Sequence, residues 1–340
     1  MKTNHKKIPY SILELAGVSS NTSIEQTFKN SLDLAQKAEA FGYKRFWLAE
    51  HHNMISIASS ATAVLIGHIA GGTKSIRVGS GGIMLPNHSP LIVAEQFGTL
   101  GNLYPGRIDL GLGRAPGTDQ VTAHAIRSDR MQSVFKFPEE VKQIQQYFST
   151  DNKGSKVRAT VAEGVDVPIY ILGSSTDSAH LAAKQGLPYA FASHFAPTQL
   201  HAALNIYYNQ FQPSKYLKEP YTIGCINIIA AETDQVAERL STTMIRMMLG
   251  VLTNQMDYMQ PPIEMTHELK QIVQDPTFQR MMKYAFVGSK STVEQQTSKF
   301  LQDTGVNELM VACYVYDHED RVESYRIFSD IMKEKHLVSQ

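Results

Sequence analysis

The sequence predicts a single closed (β/α)8 barrel with insertions, spanning residues 1–340. Three observations predict it. Short apolar runs of strand length alternate with helix-like segments through eight units, no boundary linker interrupts them, and the chain is longer than a doubly wound open sheet usually requires.

Residues 8–15 alternate loosely as a first strand, and Ser23 with Gln26 forms a capping box ahead of apolar residues at Ile24, Phe28, Leu32, Ala35 and Ala38. Gly42 supplies the stop of that helix, and Phe46 to Ala49 is a compact apolar run that reads as the second strand. A helix over 61–70 and a strand over 76–78 follow; Ser89 and Pro90 are then the cap and first residue of a helix closed by Tyr104, Pro105 and Gly106. Ile108, Leu110 and Leu112 recur at period two, and a long connection leads to a helical stretch near 141–148. The second half repeats the rhythm, with strands at 169–172, 189–192, 223–229 and 309–315. Two segments break it. Residues 151–166 are polar, while 250–283 is rich in Met and Gln and carries Pro261 and Pro262. The second lies on the side where barrel enzymes place their chemistry and reads as a lid, with a decorative insertion as the plainer alternative.

Lys plus Arg and Asp plus Glu each number 32, so no basic excess is available for a nucleic acid or an acidic membrane. Cys225 and Cys313 lie far apart in apolar runs, which fits buried thiols in a reducing compartment and excludes a disulfide or zinc framework. The amino end has positive charge but no secretory apolar stretch, and no later segment approaches a membrane span, so a cytoplasmic protein is expected.

In such a barrel the residues just after each strand line the active-site mouth. These are Glu50-His51-His52-Asn53, Gly79-Ser80-Gly81-Gly82, Gly113-Arg114 and Gly173-Ser174-Ser175. The last joins a strand to a helix start, where unpaired amides and the helix dipole favour a phosphate; ordinary capping by Ser175 is the alternative. Arg114 offers a bidentate anion clamp, or is a surface Arg in a turn. Glycines at 79–82 suit a flat ligand against the backbone, or a bulge. Adjacent His51 and His52 point to opposite sides of a strand, which disfavours a shared metal; one could face the mouth as a general base, a hydrogen-bonded structural role being the commoner alternative. His88 reads as part of the turn before Pro90. Gly111-Leu112-Gly113 begins a dinucleotide fingerprint, but Pro116 occupies its third glycine position. No hydrolase elbow surrounds Ser80, since Val78 takes the first glycine position, and no Walker lysine motif is present.

WLAEHHN at 47–53, VGSGGIMLPNHSP at 78–90, AEQFGTL at 94–100 and GRIDLGLGRAPG at 106–117 together resemble the luciferase-like flavin monooxygenases, closest to single-chain bacterial members. The resemblance implies a TIM-type barrel that takes reduced FMN as cosubstrate and oxidises a small organic substrate through a flavin hydroperoxide. It implies Arg114, Gly173, Ser174 and Ser175 at the FMN phosphate, Ser80, Gly81 and Gly82 along the ring, a non-proline cis peptide between Gly81 and Gly82, His51 as catalytic base and Glu50 in the pocket wall. It further implies a homodimer and a separate flavin reductase. Gly113 stands where the light-emitting catalytic chain has a cysteine, which sets light emission and long-chain aldehydes outside what the resemblance implies. A deazaflavin-dependent oxidoreductase on the same barrel and a non-catalytic flavin-binding protein are the competing readings.

Overall fold

The computed structural model describes residues 7–128 and 130–334, so the first six residues of the basic amino end lie outside it. Its strands are β1 (Tyr10–Glu14), β2 (Arg45–Leu48), β3 (Arg77–Ser80), β4 (Ile83–Met84), β5 (Ile108–Gly113), β6 (Ile169–Gly173), β7 (Tyr189–Phe191), β8 (Thr222–Ala231), β9 (Ala285–Ser289) and β10 (Glu308–Ala312). The pairings run in parallel in the order β10-β1-β2-β3-β5-β6-β7-β8, and β10 pairs back onto β8. The sheet thus closes as the expected barrel, with all eight expected strands present.

Two strands were not anticipated. β4 is a two-residue pairing against the end of β5, and β9 is a five-residue run hidden behind the 250–283 insertion. β8 accommodates β9 by length: Ile223–Asn227 pair with β10, whereas Asn227–Ala231 continue and pair with β9.

The helix Ile24–Phe41 begins and ends as its sequence dictates. Ser23 Oγ accepts from the Gln26 amide at 3.1 Å, and Gly42, at φ +83°, donates its own amide to Ala38 and Glu39. The capping box is not reciprocal, because the Gln26 side chain reaches Asn30 instead. The long connection after β5 holds two further helices, Gln120–Ile126 and Arg130–Phe135. The polar stretch 151–166 serves as a cover for the helix Pro90–Leu103: Ala159 and Ala162 are buried against Ala94, and a Cβ on Gly98 would meet Ala162 at 2.6 Å.

A charged layer fixes which residues face the lumen. Asp109 accepts from Arg45 Nη1 at 2.8 Å, from Trp47 Nε1 at 3.0 Å and from Arg77 Nη2 at 2.6 Å, while Arg45 Nε also reaches Glu308 at 2.9 Å. β2, β5 and β10 are not neighbours, so these side chains can meet only across the interior. The burial of Arg45 alone would lower its pKa, but Asp109 and Glu308 outweigh it and hold the guanidinium charged. Cys225 and Cys313 are buried and free, and burial pushes both thiols up, Cys313 to about 12. Among the described residues no helix is long and apolar enough to cross a membrane.

Candidate active site

Above the charged layer, period-two alternation carries the inward face to the carboxyl ends of the strands. Glu308 pairs with Ile223, and four residues further Ala312 pairs with Asn227, so Asn227 faces the lumen near its mouth. Arg45 and Trp47 set the inward parity of β2, which ends at Leu48; just beyond it His51 lies close enough to the buried His194 to depress that ring, whereas His52 bonds Glu50.

Glu50 is fully buried and organises the rim. Its carboxylate accepts from the Met84 amide at 2.9 Å and from Asn87 Nδ2 at 3.1 Å, with His52 Nε2 at 2.9 Å and His88 Nε2 at 2.9 Å completing the shell. Burial would raise this carboxyl, yet the His52 and His88 bonds overcome it and bring the pKa to about 2. Glu50 is therefore a charged clamp joining the loops after β2 and β3. His88 belongs to that clamp rather than only to the turn before Pro90. The loop after β5 is laced to the same rim: His52 donates its amide to Gly117 at 3.1 Å, and Thr118 Oγ1 donates to the His52 carbonyl at 2.9 Å.

His51 faces away from this clamp. Burial lowers its pKa, and the Gly117 carbonyl and the Glu50 charge offset only part of that, so the ring is neutral at pH 7. A neutral imidazole can accept a proton.

The Gly81–Gly82 peptide is cis. These glycines have packing tasks of their own: a Cβ on Gly81 would lie 2.6 Å from Leu13 Cδ1, and one on Gly82 would lie 2.8 Å from the Gly111 carbonyl oxygen. Ser80 is wholly buried, with its hydroxyl donating to the Gly111 carbonyl and accepting from the Gly111 amide, both at 2.9 Å. Only its backbone is left for the rim.

The structure brings Arg114 to the loop after β6. Its Nη2 meets Asp177 at 3.0 Å, in the first turn of the helix Thr176–Gln185. Ser175 stands at the N-cap position but its hydroxyl makes no capping bond, so ordinary capping does not account for it. Gln199, which sequence reasoning missed, takes the Thr176 amide at 3.0 Å. The Arg114–Asp177 pair is solvent-exposed on both sides, and such pairs are worth about 0–1 kcal/mol, so a dianion can take the guanidinium from Asp177 at little expense. Gly173 is confined, since a Cβ there would fall 1.8 Å from Ser178 Oγ.

The 250–283 segment crosses the loop after β1. Met259 is buried, donates its amide to Val18 and accepts from the Ser20 amide, both at 2.9 Å. It is held at the rim by backbone pairing.

Sequence reasoning also missed His194 and Asn227, which carry no motif. His194 is buried just past β7, and burial followed by the nearby His51 lowers its pKa to about 3. Unfolded chains protonate histidine below about pH 6.5, whereas this folded ring resists until about pH 3. Stability from His194 is therefore full above pH 6.5 and declines as pH falls, by about 2 kcal/mol at pH 5. Urea midpoints at pH 7.5 and 5.0 should differ less in His194→Phe than in wild type; equal shifts would refute the assignment.

A family model described as luciferase-like monooxygenase matches residues 9–308. The chain is 47% identical to the Bacillus subtilis (strain 168) protein YvbT, with 98% of this chain and 100% of that protein covered. It is 44% identical to a luciferase-like monooxygenase of Escherichia coli (strain K12), over 97% of this chain and 98% of the relative. Among solved structures, apo-MsnO8 superposes with a TM-score of 0.88 at 32% identity, covering 98% of this chain and 100% of that one. Two more distant structures share the fold alone. They are the oxygenating constituent of 3,6-diketocamphane monooxygenase from Pseudomonas putida in complex with FMN (TM-score 0.73, 18% identity, 98% and 100% covered) and an F420-dependent secondary alcohol dehydrogenase with an F420-acetone adduct (0.70, 16%, 98% and 100%). Closed parallel barrel, laced rim and matching relatives agree: the chain belongs to the luciferase-like monooxygenase family.

Proposed function

We propose that the protein is a flavin-dependent monooxygenase that uses reduced FMN and molecular oxygen to oxidise a small organic substrate. The observation that carries this reading is the meeting of Arg114 with the amino end of the helix Thr176–Gln185 on the barrel rim that also bears His51. A guanidinium, two serine hydroxyls and a helix amino end make a donor set suited to a phosphate dianion. When bound, reduced FMN supplies the two electrons that activate oxygen.

Arg114, Ser174 and Ser175 hold the phosphate in this reading, with Gly173 shaping the turn between them. The backbone of Ser80, Gly81 and Gly82 lines the ring, while Glu50 keeps the loops around it in place. His51, neutral at pH 7, exchanges a proton with the reacting groups. The 250–283 segment acts as a lid that keeps water from the reduced cofactor. A separate reductase supplies reduced flavin, and the protein is cytoplasmic and works as a homodimer.

The test is a titration of wild type and Arg114→Ala with reduced FMN and reduced riboflavin. FMN should bind about 10- to 100-fold more weakly to the variant, with riboflavin unchanged. Equal loss for both would remove the phosphate-clamp role. The fold shared with an F420-dependent dehydrogenase supports a second reading, deazaflavin-dependent hydride transfer. Tight binding of F420 together with no binding of FMN would favour it.

A further inference from the structure

Three strands round the barrel from β5, the mouth holds two buried polar atoms without a hydrogen-bond partner: His194 Nδ1 and Asn227 Oδ1. Buried polar atoms are nearly always paired, and an orphaned pair at a barrel mouth calls for an explanation. The two residues are tied together, since Asn227 Nδ2 donates to the His194 carbonyl at 2.6 Å. That bond orients the amide. An oxygen turned toward the carbonyl would be repelled, so Oδ1 is an acceptor with a fixed direction. The facing ligand atom must therefore donate. Neither residue is placed by packing against water: Asn227 is wholly buried and His194 is 6% exposed.

The chemistry of the surroundings limits the charge of that ligand. The basic side chains beside this pair of atoms are the His194 ring and the His51 ring that acts on it, and burial keeps both neutral. An anion or a cation would enter without a counter-ion, which a buried site penalises heavily. A neutral group enters without that penalty.

We propose that His194 and Asn227 form a substrate subsite that receives a neutral hydrogen-bond donor of the organic substrate, a hydroxyl or a secondary amide N–H, and so orients it in the mouth that His51 faces. The subsite deepens the oxygenase reading, on which its role in turnover rests. Its hydrogen-bonding capacity is a property of the chain alone and is measurable without flavin. A hydroxyl or a secondary amide N–H can donate to Asn227 Oδ1, and the oxygen of such a ligand is the group that a His194 Nδ1–H would receive.

The experiment compares N-benzylacetamide with its N-methylated tertiary analogue on the full chain, using ligand-observed NMR. Wild type should bind the secondary amide about tenfold more tightly, the value of one good hydrogen bond to an otherwise unpaired acceptor. Asn227→Leu should bring that preference below about twofold, whereas His194→Phe should weaken binding of both amides alike, because the carbonyl that His194 receives is common to the two. Circular dichroism establishes that each variant is folded, and the weaker binding of both amides by His194→Phe preserves the test if Asn227→Leu does not fold. A reduced-FMN titration of the same variants should match wild type. The proposal is overturned by absence of any preference in wild type, by a preference that survives in folded Asn227→Leu, by unchanged affinity for both amides in folded His194→Phe, or by a loss of FMN affinity that accompanies the loss of amide binding, since the two atoms would then serve the flavin. Preference intact with no FMN binding in wild type supports the subsite and counts against the flavin reading.

Discussion

Asp109→Ala should lower the stability of the barrel by about 3–5 kcal/mol, the usual consequence of removing one partner from a buried ionic network. Asp109 has no exposed surface and accepts from Arg45, Arg77 and Trp47, which come from two other strands. Without it Arg45 keeps only Glu308, and Arg77 loses its carboxylate. Arg45 would then keep one of its two carboxylates in the buried lumen, and the part-exposed Arg77 would lose its ion pair. With an unfolding entropy of roughly 2 cal/mol/K per residue, the melting midpoint should fall by about 4–7 °C. A variant within about 1 °C of wild type would show that the network contributes little. Asp109→Asn, which keeps one acceptor for Trp47 and an unchanged volume, should be the milder of the two substitutions.

His51→Ala should reduce turnover about 10²- to 10⁴-fold, the range for loss of a general acid or base, while leaving FMN affinity close to wild type. The argument rests on orientation and charge. His51 lies beside the buried His194 where His52 turns to Glu50, and burial holds the His51 ring in its neutral form. Because its pKa is lowered, the activity limb due to His51 should lie on the acid side of pH 6.5, with rate lost as pH falls and little change above neutrality. His52→Ala acts through the Glu50 clamp and should impair binding and stability more than the pH profile. If His51→Ala retains turnover within about threefold of wild type, the ring is not the proton-handling group.

The strands could be read because a parallel barrel buries both faces of each strand and therefore writes it as an unbroken apolar run, such as Phe46 to Ala49 or Ile169 to Leu172. β9 escaped because Ala285-Phe286-Val287-Gly288-Ser289 is short, sits beside an insertion and pairs with an extension of β8 that periodicity does not reveal. The helices Gln120–Ile126 and Arg130–Phe135 escaped because they are short. The rim residues Glu50, His51, Gly81, Gly82 and Arg114 could be nominated from their place just after strands. What each one does could not, because burial and hydrogen-bond partners are relations between distant segments. Ser80 illustrates this: its hydroxyl looked available at a strand end and is in fact spent on Gly111 of the neighbouring strand.

By itself the sequence determined the alternation of strands and helices, the parallel barrel that follows from it, and the rim positions, since these depend on local propensity and on period-two and helical spacing. Only the tertiary structure decided that Glu50 is a buried anion clamped by His52 and His88, that Arg114 meets the helix after β6, and that His194 and Asn227 share the mouth with two unpaired atoms. The physical reason is closure: bringing β10 back onto β8 sets residues from all parts of the chain around one lumen, and burial there shifts their pKa values and selects their partners.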